Sequence, residues 1–386
     1  MRICFVTHNM ETNGGIQRVL YNVVDGLLDY HDVTICTYMK ETSKPYYQYN
    51  RDVHFVFLDE YFYRRDIISR GIRYITRRFG VMILPKTVLR LFYDKKNISR
   101  LQKVLDSGKY DVVIALQGTY TMLLAQVDKK NINNTRFYGW MHSSFEAYFE
   151  TPFEYNYGEK KLAQKLLKNL NAIVALTEHD AKKYCDSFGV DSTCIYNPLS
   201  FAPEQRYNPE SKQLIFVGRL LENTKGIDYL LNILENVFKL KEFNEYSCLI
   251  VGEGPDFEKI IQLVQEKKLE KNVFLLGNRN DVKELISDSV VLLSTSRWEG
   301  FGMSIIEAFS CGVPVISFDN SGPNEIIDNG KNGEIIKRFD INAFRDAIIG
   351  FLSDREKRIR YSTCAFNSTQ RFKKENIIKK WNDLLS

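Results

Sequence analysis

Short apolar runs alternate with helix-like stretches along almost the whole chain of 386 residues, and this alternation constrains the fold more than any other feature. Alternating strands and helices predict parallel sheets, because parallel neighbours are joined by crossover helices. The runs are almost continuously apolar, which indicates strands that are buried on both faces. The predicted strands are Ile3–Thr7, Val33–Tyr38, Val53–Leu58, Val112–Leu116, Phe137–Met141, Ile173–Leu176, Cys194–Tyr196, Leu214–Val217, Cys248–Val251, Val273–Leu276, Val290–Leu293 and Val313–Phe318.

The chain is longer than the size at which one hydrophobic core usually suffices, so we expect two domains. Asn197-Pro198 and a polar stretch over residues 202–213 separate the two halves, and we place the boundary there. The prediction is an α/β protein with two doubly wound, Rossmann-like domains, residues 1–200 and 201–370, and a terminal helix within 371–386. Ligands in such sheets bind at the carboxyl ends of the strands.

Composition is typical of a globular protein in aqueous solution, with 44% hydrophobic and 26% charged residues. No apolar run approaches the roughly 20 residues of a membrane span. The first residues resemble a short strand and carry no cleavage signature of a signal peptide. The seven cysteines are scattered and lack Cys-x2-Cys pairs, which favours a reducing cytoplasm over a disulfide framework or a zinc site. We therefore expect a cytoplasmic protein.

The segment 296–317 combines a loop containing two glycines with a short apolar helix that ends at Gly312. Glu299 lies in the loop and Glu307 lies one to two turns into the helix. A helix N-terminus presents free N–H groups and partial positive charge, and glycines allow the backbone to approach a ligand closely. This combination indicates an anion cradle beside two carboxylates that can accept hydrogen bonds from sugar hydroxyls.

Glu299 and Glu307, eight positions apart around Gly-Phe-Gly, resemble the Glu-x7-Glu motif of family 4 glycosyltransferases, which are retaining enzymes of the GT-B fold. The resemblance implies two Rossmann-like domains facing across a cleft, with the C-terminal helix crossing back to the first. It also implies transfer of a hexosyl unit from a nucleotide sugar, with UDP expected on family frequency. The acceptor would be a glycan or a polyprenyl-diphosphate-linked glycan of a surface polysaccharide.

By this resemblance, Glu299 would accept hydrogen bonds from the donor sugar and Glu307 from the ribose, while the backbone N–H groups of residues 301–304 face the donor. The residues expected to bind the donor are Gly14, Gly15, Arg219, Lys225, Gly252, Glu253, Asn278, Arg279, Glu299, Gly300, Phe301, Gly302, Met303, Ser304 and Glu307. The residues expected to act in catalysis are His142, Arg219, Lys225 and Glu299.

Arg219 and Lys225 follow a predicted strand, where two cations would clamp a departing diphosphate. The family usually has four residues between them, whereas five intervene here, so we expect the loop to bulge at Lys225. A solvated arginine and a lysine at a helix start would explain the same pattern without function.

The helix N–H groups and these cations would stabilise the leaving group, and the chain has no Asp-x-Asp motif. We therefore expect a site that needs neither metal nor cofactor.

Other candidate loops have ordinary structural explanations of comparable weight. Gly252 and Glu253 form a Gly-x-Gly corner, while Asn278 and Arg279 lie in a polar connecting loop. Asn13-Gly14-Gly15 separates the first strand from a helix that starts near Ile16, which favours phosphate binding over a flexible turn.

His142 follows a strand end, where histidine suits proton handling or hydrogen bonding to a sugar hydroxyl. Its alternative role is structural. Glu146 is an alternative acid with weaker support. Glu178 and His179 are predicted to start a helix.

Basic and apolar residues interleave between Arg64 and Lys103, and only Asp66 and Asp94 oppose the positive charge. One hypothesis is that this segment docks onto an anionic membrane surface. The other is an ordinary pair of helices with inward apolar faces. No nucleic-acid recognition motif accompanies the segment, so we expect no nucleic acid partner.

Two further functional classes fit a nucleotide-sugar site. A GT-B nucleotide-sugar 2-epimerase would need acid and base groups around the sugar ring but no acceptor site. A non-catalytic binding protein would need neither. The Glu-x7-Glu pattern and the basic segment favour transfer, and the presence of Arg219 and Lys225 argues against loss of activity.

Overall fold

The computed structural model describes residues 1–39, 41–49, 51–58, 95–132, 134–152 and 154–386. These residues form two compact units. The first comprises Met1–Pro198 together with Lys374–Ser386, and the second comprises Leu199–Lys373. The predicted boundary at residue 200 lies two residues beyond the boundary in the structure. Most of the basic segment 64–103, including Arg73, Arg77 and Arg78, lies outside the described residues.

The first unit contains a parallel sheet in the order β3-β2-β1-β4-β5-β6-β7. Its strands are β1 (Arg2–Thr7), β2 (Asp32–Thr37), β3 (His54–Phe57), β4 (Val112–Leu116), β5 (Arg136–Trp140), β6 (Ala172–Ala175) and β7 (Ser192–Cys194). Its helices are α1 (Gly15–Leu27), α2 (Lys95–Gly108), α3 (Gln117–Leu124), α4 (Phe145–Phe149), α5 (Lys160–Leu166) and α6 (Glu178–Phe188). β1 and β4 are fully buried apart from Arg2, as their continuous apolar runs predict.

The second unit contains a parallel sheet in the order β10-β9-β8-β11-β12-β13. Its strands are β8 (Gln213–Val217), β9 (Ser247–Val251), β10 (Val273–Gly277), β11 (Val291–Ser294), β12 (Val315–Phe318) and β13 (Gly333–Ile336). Its helices are α7 (Glu222–Lys225), α8 (Ile227–Phe238), α9 (Phe257–Glu266), α10 (Val282–Ser287), α11 (Met303–Ser310), α12 (Ser321–Ile326), α13 (Ile341–Ser353) and α14 (Arg355–Ser368). Short 3-10 helices in the two units lie at Lys129–Asn131, Leu167–Asn169, Lys241–Phe243 and Thr369–Phe372.

The C-terminal helix α15 (Lys374–Leu385) packs within the first unit. Trp381 is fully buried, and its ring meets that of Trp140 edge-on at 4.8 Å between centroids. A Cβ atom at Gly26 of α1 would lie 2.5 Å from Ile378, so the glycine allows α1 and α15 to approach closely. The last residues of the chain therefore belong to the core of the first unit.

The prediction of parallel sheets is confirmed, but three strand assignments need correction. β13 was not predicted, because it is a short and only half-buried edge strand. β7 covers Ser192–Cys194 rather than Cys194–Tyr196. β12 begins at Val315 rather than Val313, since Pro314 has no N–H group to donate to the sheet.

Helix α2 contains the C-terminal end of the basic segment, and its packing accounts for the alternation of basic and apolar residues there. Leu101 and Leu105 are buried in the core of the first unit, while Lys96 and Lys103 are exposed. This is the ordinary amphipathic arrangement of a helix on a sheet. None of the helices in the described part of the chain has the length and apolar character of a membrane span.

Candidate functional site

The order of strands in the second sheet reverses between β8 and β11. Arg219 and Lys225 follow the carboxyl end of β8, and Glu299 follows the carboxyl end of β11. Ligands of doubly wound sheets bind in the crevice at such a reversal. The topology thus brings these three sequence-predicted residues to the same edge of the sheet.

Lys225 and Glu299 form an ion pair, with 2.5 Å between Nζ and Oε2. The five-residue spacing after Arg219 is accommodated by the short helix α7, which ends at Lys225, rather than by a bulged loop. The side chains of Lys225 and Glu299 are only 23% and 17% exposed. Partial burial strengthens their attraction relative to a surface pair. Arg219, in contrast, is exposed.

The loop that carries Glu299 is held by Asn320 and Gly322, which follow β12. The side-chain amide of Asn320 donates to the carbonyl oxygen of Ser296 at 2.9 Å, and the Ser296 hydroxyl lies 3.4 Å from Glu299 Oε2. The backbone N–H of Gly322 donates to the Glu299 carbonyl oxygen at 3.1 Å. The segment 320–322 therefore fixes the backbone on which the Glu299 carboxylate stands.

Helix α11 begins directly after Gly302, whose φ of 104° lies in the left-handed region. The first bond of the turn runs from the Ile305 N–H to the Gly302 carbonyl oxygen at 3.0 Å. The N–H groups of Met303 and Ser304 precede this bond, as helix geometry requires. Gly300 and Phe301 are buried, and the Phe301 ring packs edge-on against Phe372. The Phe301 side chain therefore has a packing role, and contact of the backbone at residues 300–304 with a donor stays a prediction.

Glu307 is almost fully buried, with 1% exposure, inside α11. Its Oε1 atom accepts a hydrogen bond of 2.7 Å from the hydroxyl of Ser200. A carboxylate has about four lone-pair directions and can accept hydrogen bonds from several donors at once. Ser200 was missed because it lies 107 positions away and carries no motif.

The glycine corner after β9 has a packing role that is independent of any ligand. A Cβ atom at Gly252 would lie 2.0 Å from the Gly218 carbonyl oxygen. The carbonyl of Glu253 accepts a hydrogen bond from the Leu220 N–H at 2.9 Å. The corner after β9 therefore packs directly on the loop after β8 that carries Arg219, and contact of Gly252 or Glu253 with a donor stays a prediction.

Asn278 and Arg279 lie exposed after β10. Arg279 donates through Nε and Nη2 to the two carboxylate oxygens of Asp281, at 2.8 and 2.6 Å. Exposed pairs of this kind contribute little to stability. The hydrogen bonds of Arg279 go to Asp281 and not to the Lys225–Glu299 pair. Contact of Asn278 or Arg279 with a donor therefore also stays a prediction.

In the first unit, Gly14 precedes α1 and Gly15 is its first residue. A Cβ atom at Gly15 would meet none of the described atoms within 4 Å, so the described part of the chain leaves the backbone open at this position. Arg18 donates its backbone N–H to the Gly14 carbonyl oxygen at 3.0 Å, which closes the first turn. The helix predicted near Ile16 is thus confirmed, and phosphate binding at its start stays a prediction.

His142 lies two residues beyond β5, with its ring 4.4 Å from that of Trp140. The residue keeps partial exposure, but its Nε2 atom is buried and has no hydrogen-bond partner among the described residues. Burial lowers the pKa of His142 to about 3, because the charged ring would lose its hydration. The imidazole is therefore neutral near pH 7 and offers a nitrogen lone pair or an N–H group.

Two further residues of the first unit have clear local roles. Glu146 lies in the first turn of α4, where the Ser144 side chain caps the helix. Glu178 starts α6 as predicted, and the Thr177 hydroxyl accepts the Asp180 N–H at 3.0 Å. In the described residues, no group of three or more His, Cys, Asp and Glu side chains is arranged to hold a metal ion.

Two families match the chain in succession. The family described as Glycosyltransferase Family 4 matches residues 13–201, and the family described as Glycosyl transferases group 1 matches residues 201–367. The second match contains the Lys225–Glu299 pair and Glu307. Together the two matches cover nearly the whole chain.

Two of the curated relatives are named as sugar transferases of polyol-phosphate polymers. A poly(ribitol-phosphate) alpha-N-acetylglucosaminyltransferase of Staphylococcus aureus is 28% identical over 290 residues, which cover 74% of this chain and 57% of the relative. A poly(glycerol-phosphate) alpha-glucosyltransferase of Bacillus subtilis is 28% identical over 229 residues, which cover 58% of this chain and 34% of the relative. The chain thus spans about half or less of the length of these relatives.

A solved structure of Staphylococcus aureus TarM, a variant in complex with fondaparinux, alpha-GlcNAc-glycerol and UDP, has the same fold. The TM-score is 0.74 at 20% identity, and the match covers 100% of this chain and 99% of that one. The predicted architecture of two Rossmann-like domains in the GT-B fold is confirmed.

Proposed function

Because the chain belongs to the family 4 glycosyltransferases of the GT-B fold, we propose that it is a retaining hexosyltransferase of surface polysaccharide synthesis. The proposed donor is a nucleotide sugar, with UDP as the nucleotide. The proposed acceptor is a glycan, either free or linked to a polyprenyl diphosphate. The names of the relatives support a surface polymer as the product, and the UDP in the TarM complex supports the choice of nucleotide.

The observation that carries the proposal is the meeting of Lys225 and Glu299 at the reversal of the second sheet. The bond that breaks in a nucleotide sugar joins a sugar to a diphosphate. A cation suits the negatively charged diphosphate, and a carboxylate suits the hydroxyl groups of the sugar. In this proposal Lys225 and Arg219 bind the diphosphate, and Glu299 accepts hydrogen bonds from the sugar hydroxyls. Glu307 accepts hydrogen bonds from the ribose.

In the proposed reaction, the bond between the anomeric carbon and the phosphate oxygen breaks while the acceptor oxygen bonds to the same face of that carbon. The acceptor's proton passes to the oxygen of the departing diphosphate. Lys225, Arg219 and the N–H groups at the start of α11 stabilise the charge that develops there. These groups would replace a divalent metal, so we expect activity to persist with excess chelator.

His142 completes the proposal as a neutral hydrogen-bonding partner of a sugar hydroxyl. Its low pKa makes a role as a cationic acid at neutral pH unfavourable. The proposed contribution of Gly14 and Gly15 is backbone contact with the ligand near the start of α1.

We also propose that the enzyme works in the cytoplasm on the inner face of the cell membrane, docked by the basic segment 64–103. Each basic side chain near an anionic surface contributes about 1 kcal/mol. Co-sedimentation with phosphatidylglycerol vesicles but not with phosphatidylcholine vesicles is expected. Equal behaviour of the wild type and a variant with Arg73, Arg77 and Arg78 changed to glutamate would contradict the docking proposal.

A thermal-shift screen of UDP, GDP, ADP and their common sugars tests the donor proposal. A ligand at 100 times its dissociation constant stabilises the folded state by about 2.7 kcal/mol. We expect a shift with one nucleotide family, which is lost in Glu307→Ala and kept in the surface control Glu356→Ala. Absence of any shift in the wild type would contradict the proposal and favour a different ligand class.

A further inference from the structure

Arg297 joins the two segments that carry the Lys225–Glu299 pair. Its guanidinium makes a bidentate interaction with Asp228, donating to both carboxylate oxygens at 2.9 and 2.8 Å. Its backbone N–H donates to the Thr224 carbonyl oxygen at 2.8 Å. The residue before the lysine is thus bonded directly to the residue two positions before the glutamate.

Three further contacts tie the same segments together. The Arg297 guanidinium lies over the ring of Tyr229, 4.4 Å from its centroid, and Nη1 lies 3.4 Å from the Glu222 carbonyl oxygen. The Thr295 hydroxyl lies 3.2 Å from the Lys225 carbonyl oxygen. We refer to Arg297, Asp228, Tyr229 and the Thr224 carbonyl as the Arg297 clamp.

Gly226 allows the two backbone segments joined by the Arg297 clamp to approach closely. Its φ of 60° is left-handed, and a Cβ atom there would lie 2.2 Å from the Thr295 carbonyl oxygen. The backbone immediately after Lys225 therefore touches the backbone that leads to Glu299. Such an approach leaves little freedom in the relative placement of the two segments.

The chemistry of the clamp suits positioning. A guanidinium is planar and permanently charged, so two parallel bonds to one carboxylate fix its orientation as well as its position. The Arg297 and Asp228 side chains are 21% and 28% exposed, so water competes weakly for these bonds. The hydrogen bonds that Arg297 donates to Asp228 raise the pKa of Arg297 further above its ordinary value. Asp228 also neutralises the charge of Arg297. Lys225 therefore remains the positively charged partner of Glu299.

We propose that Arg297, held by Asp228, is a positioning residue that sets Lys225 against Glu299 and thereby determines how tightly the site holds a diphosphate. This inference rests on the proposed function, because it assumes that Lys225 contacts a nucleoside diphosphate. Lysine has a flexible stem, so the rigidity of its backbone and partner decides how often the ammonium group is in place. Arg297 itself does not touch the ligand.

The test compares a nucleoside diphosphate with its monophosphate by titration calorimetry. UDP and UMP are used, or the matching GDP and GMP or ADP and AMP pair if the nucleotide screen selects another base. The variants are Arg297→Met, Arg297→Lys and Asp228→Asn. The control is Arg345→Met, which removes an arginine that is likewise bonded to an aspartate but on α13. Thermal unfolding is followed for every variant.

We expect Arg297→Met to weaken UDP binding about tenfold, the size of one hydrogen bond to a charged group. UMP binding should change less than about twofold by the same scale. Asp228→Asn should act similarly, whereas Arg345→Met should change neither affinity. The double variant Arg297→Lys with Asp228→Glu should recover part of the UDP affinity, since the longer carboxylate reaches the shorter cation.

A purely structural role would give a different result. Equal losses for UDP and UMP that follow the fall in melting temperature would overturn the inference, and so would unchanged affinities in folded Arg297→Met. A wild type that binds no nucleotide would instead overturn the proposed function itself. The two failures are therefore distinguishable in one experiment.

Discussion

The ammonium group of Lys225 lies 2.5 Å from a carboxylate oxygen of Glu299, across 74 positions of the sequence. The pair stands where the strand order of the second sheet reverses. Neither partner is available to a ligand without rearranging or sharing this contact. The ion pair therefore links the fold of the second unit to its proposed chemistry.

We expect the ion pair to stabilise the folded state in addition to its proposed contacts with the donor. Lys225→Met and Glu299→Gln, measured singly and together by denaturant unfolding, should show a coupling free energy of about 0.5–2 kcal/mol, as is usual for contacting residues. Both single variants should also lose activity, because each removes a different contact to the donor. Additive changes in unfolding free energy would contradict the pair in solution.

Ser200 should matter through Glu307. Ser200→Ala removes the hydroxyl that donates to the buried carboxylate at 2.7 Å. We expect the free energy of unfolding to fall by about 1–3 kcal/mol, as for a buried charged acceptor that loses a donor. Binding of the nucleoside alone should weaken in parallel, because Glu307 is proposed to meet the ribose. The comparison variant is the half-buried Ser211→Ala, whose hydroxyl donates to the Asp288 carbonyl oxygen and accepts the Gln213 N–H.

His142 should give the fold a specific dependence on pH. Its pKa in the folded state is about 3, below the ordinary value of about 6.5, because of burial. Between these values the unfolded chain binds more protons, so the folded state loses stability as the pH falls from about 6.5 towards 3. His142→Gln should remove this part of the loss.

The measurement for His142 is the difference in melting temperature between wild type and His142→Gln from pH 4 to pH 8. The difference should be constant above pH 7 and should shift in favour of the variant at lower pH. A midpoint near pH 6.5 assigned to His142 in the activity profile of the wild type would contradict the low pKa.

Gly302 should tolerate no side chain, whereas Gly350 should accept one. At Gly302 the φ is 104° and a Cβ atom would lie 2.7 Å from Ile305, so Gly302→Ala should destabilise the fold by about 1–3 kcal/mol. Gly350 lies within α13, and no atom of the described residues lies within 4 Å of its Cβ position. Gly350→Ala should stabilise by about 0.5–1 kcal/mol through helix propensity. Equal responses in chemical unfolding would refute the account of the α11 N-terminus.

The sequence predicts those features of the fold that depend on local pattern. Continuous apolar runs identify twelve strands, and Gly312 identifies the end of α11. β13 escapes this reasoning because an edge strand is half-buried, so its pattern is mixed. The assignments of Glu299 and Lys225 to one site come from a resemblance, since their 74-residue separation has no local signature.

Partners of the candidate residues could not be predicted from local pattern. Ser200, Asn320 and the Arg297–Asp228 bond depend on which loops the sheet order brings together. Serine, asparagine and an Arg–Asp pair are also common on protein surfaces, where they carry no functional meaning. Only the reversal of strand order between β8 and β11 gives them a shared location.

The most direct measurement of the central claim is proton NMR of the protein with a panel of nucleotide sugars, in water and with simple sugar acceptors. The account predicts that one donor is consumed, that a nucleoside diphosphate is released, and that the product keeps the anomeric configuration of the donor. Lys225→Met should slow this turnover. Conversion of a donor to its 2-epimer without release of nucleotide, or no turnover of any donor, would contradict the account.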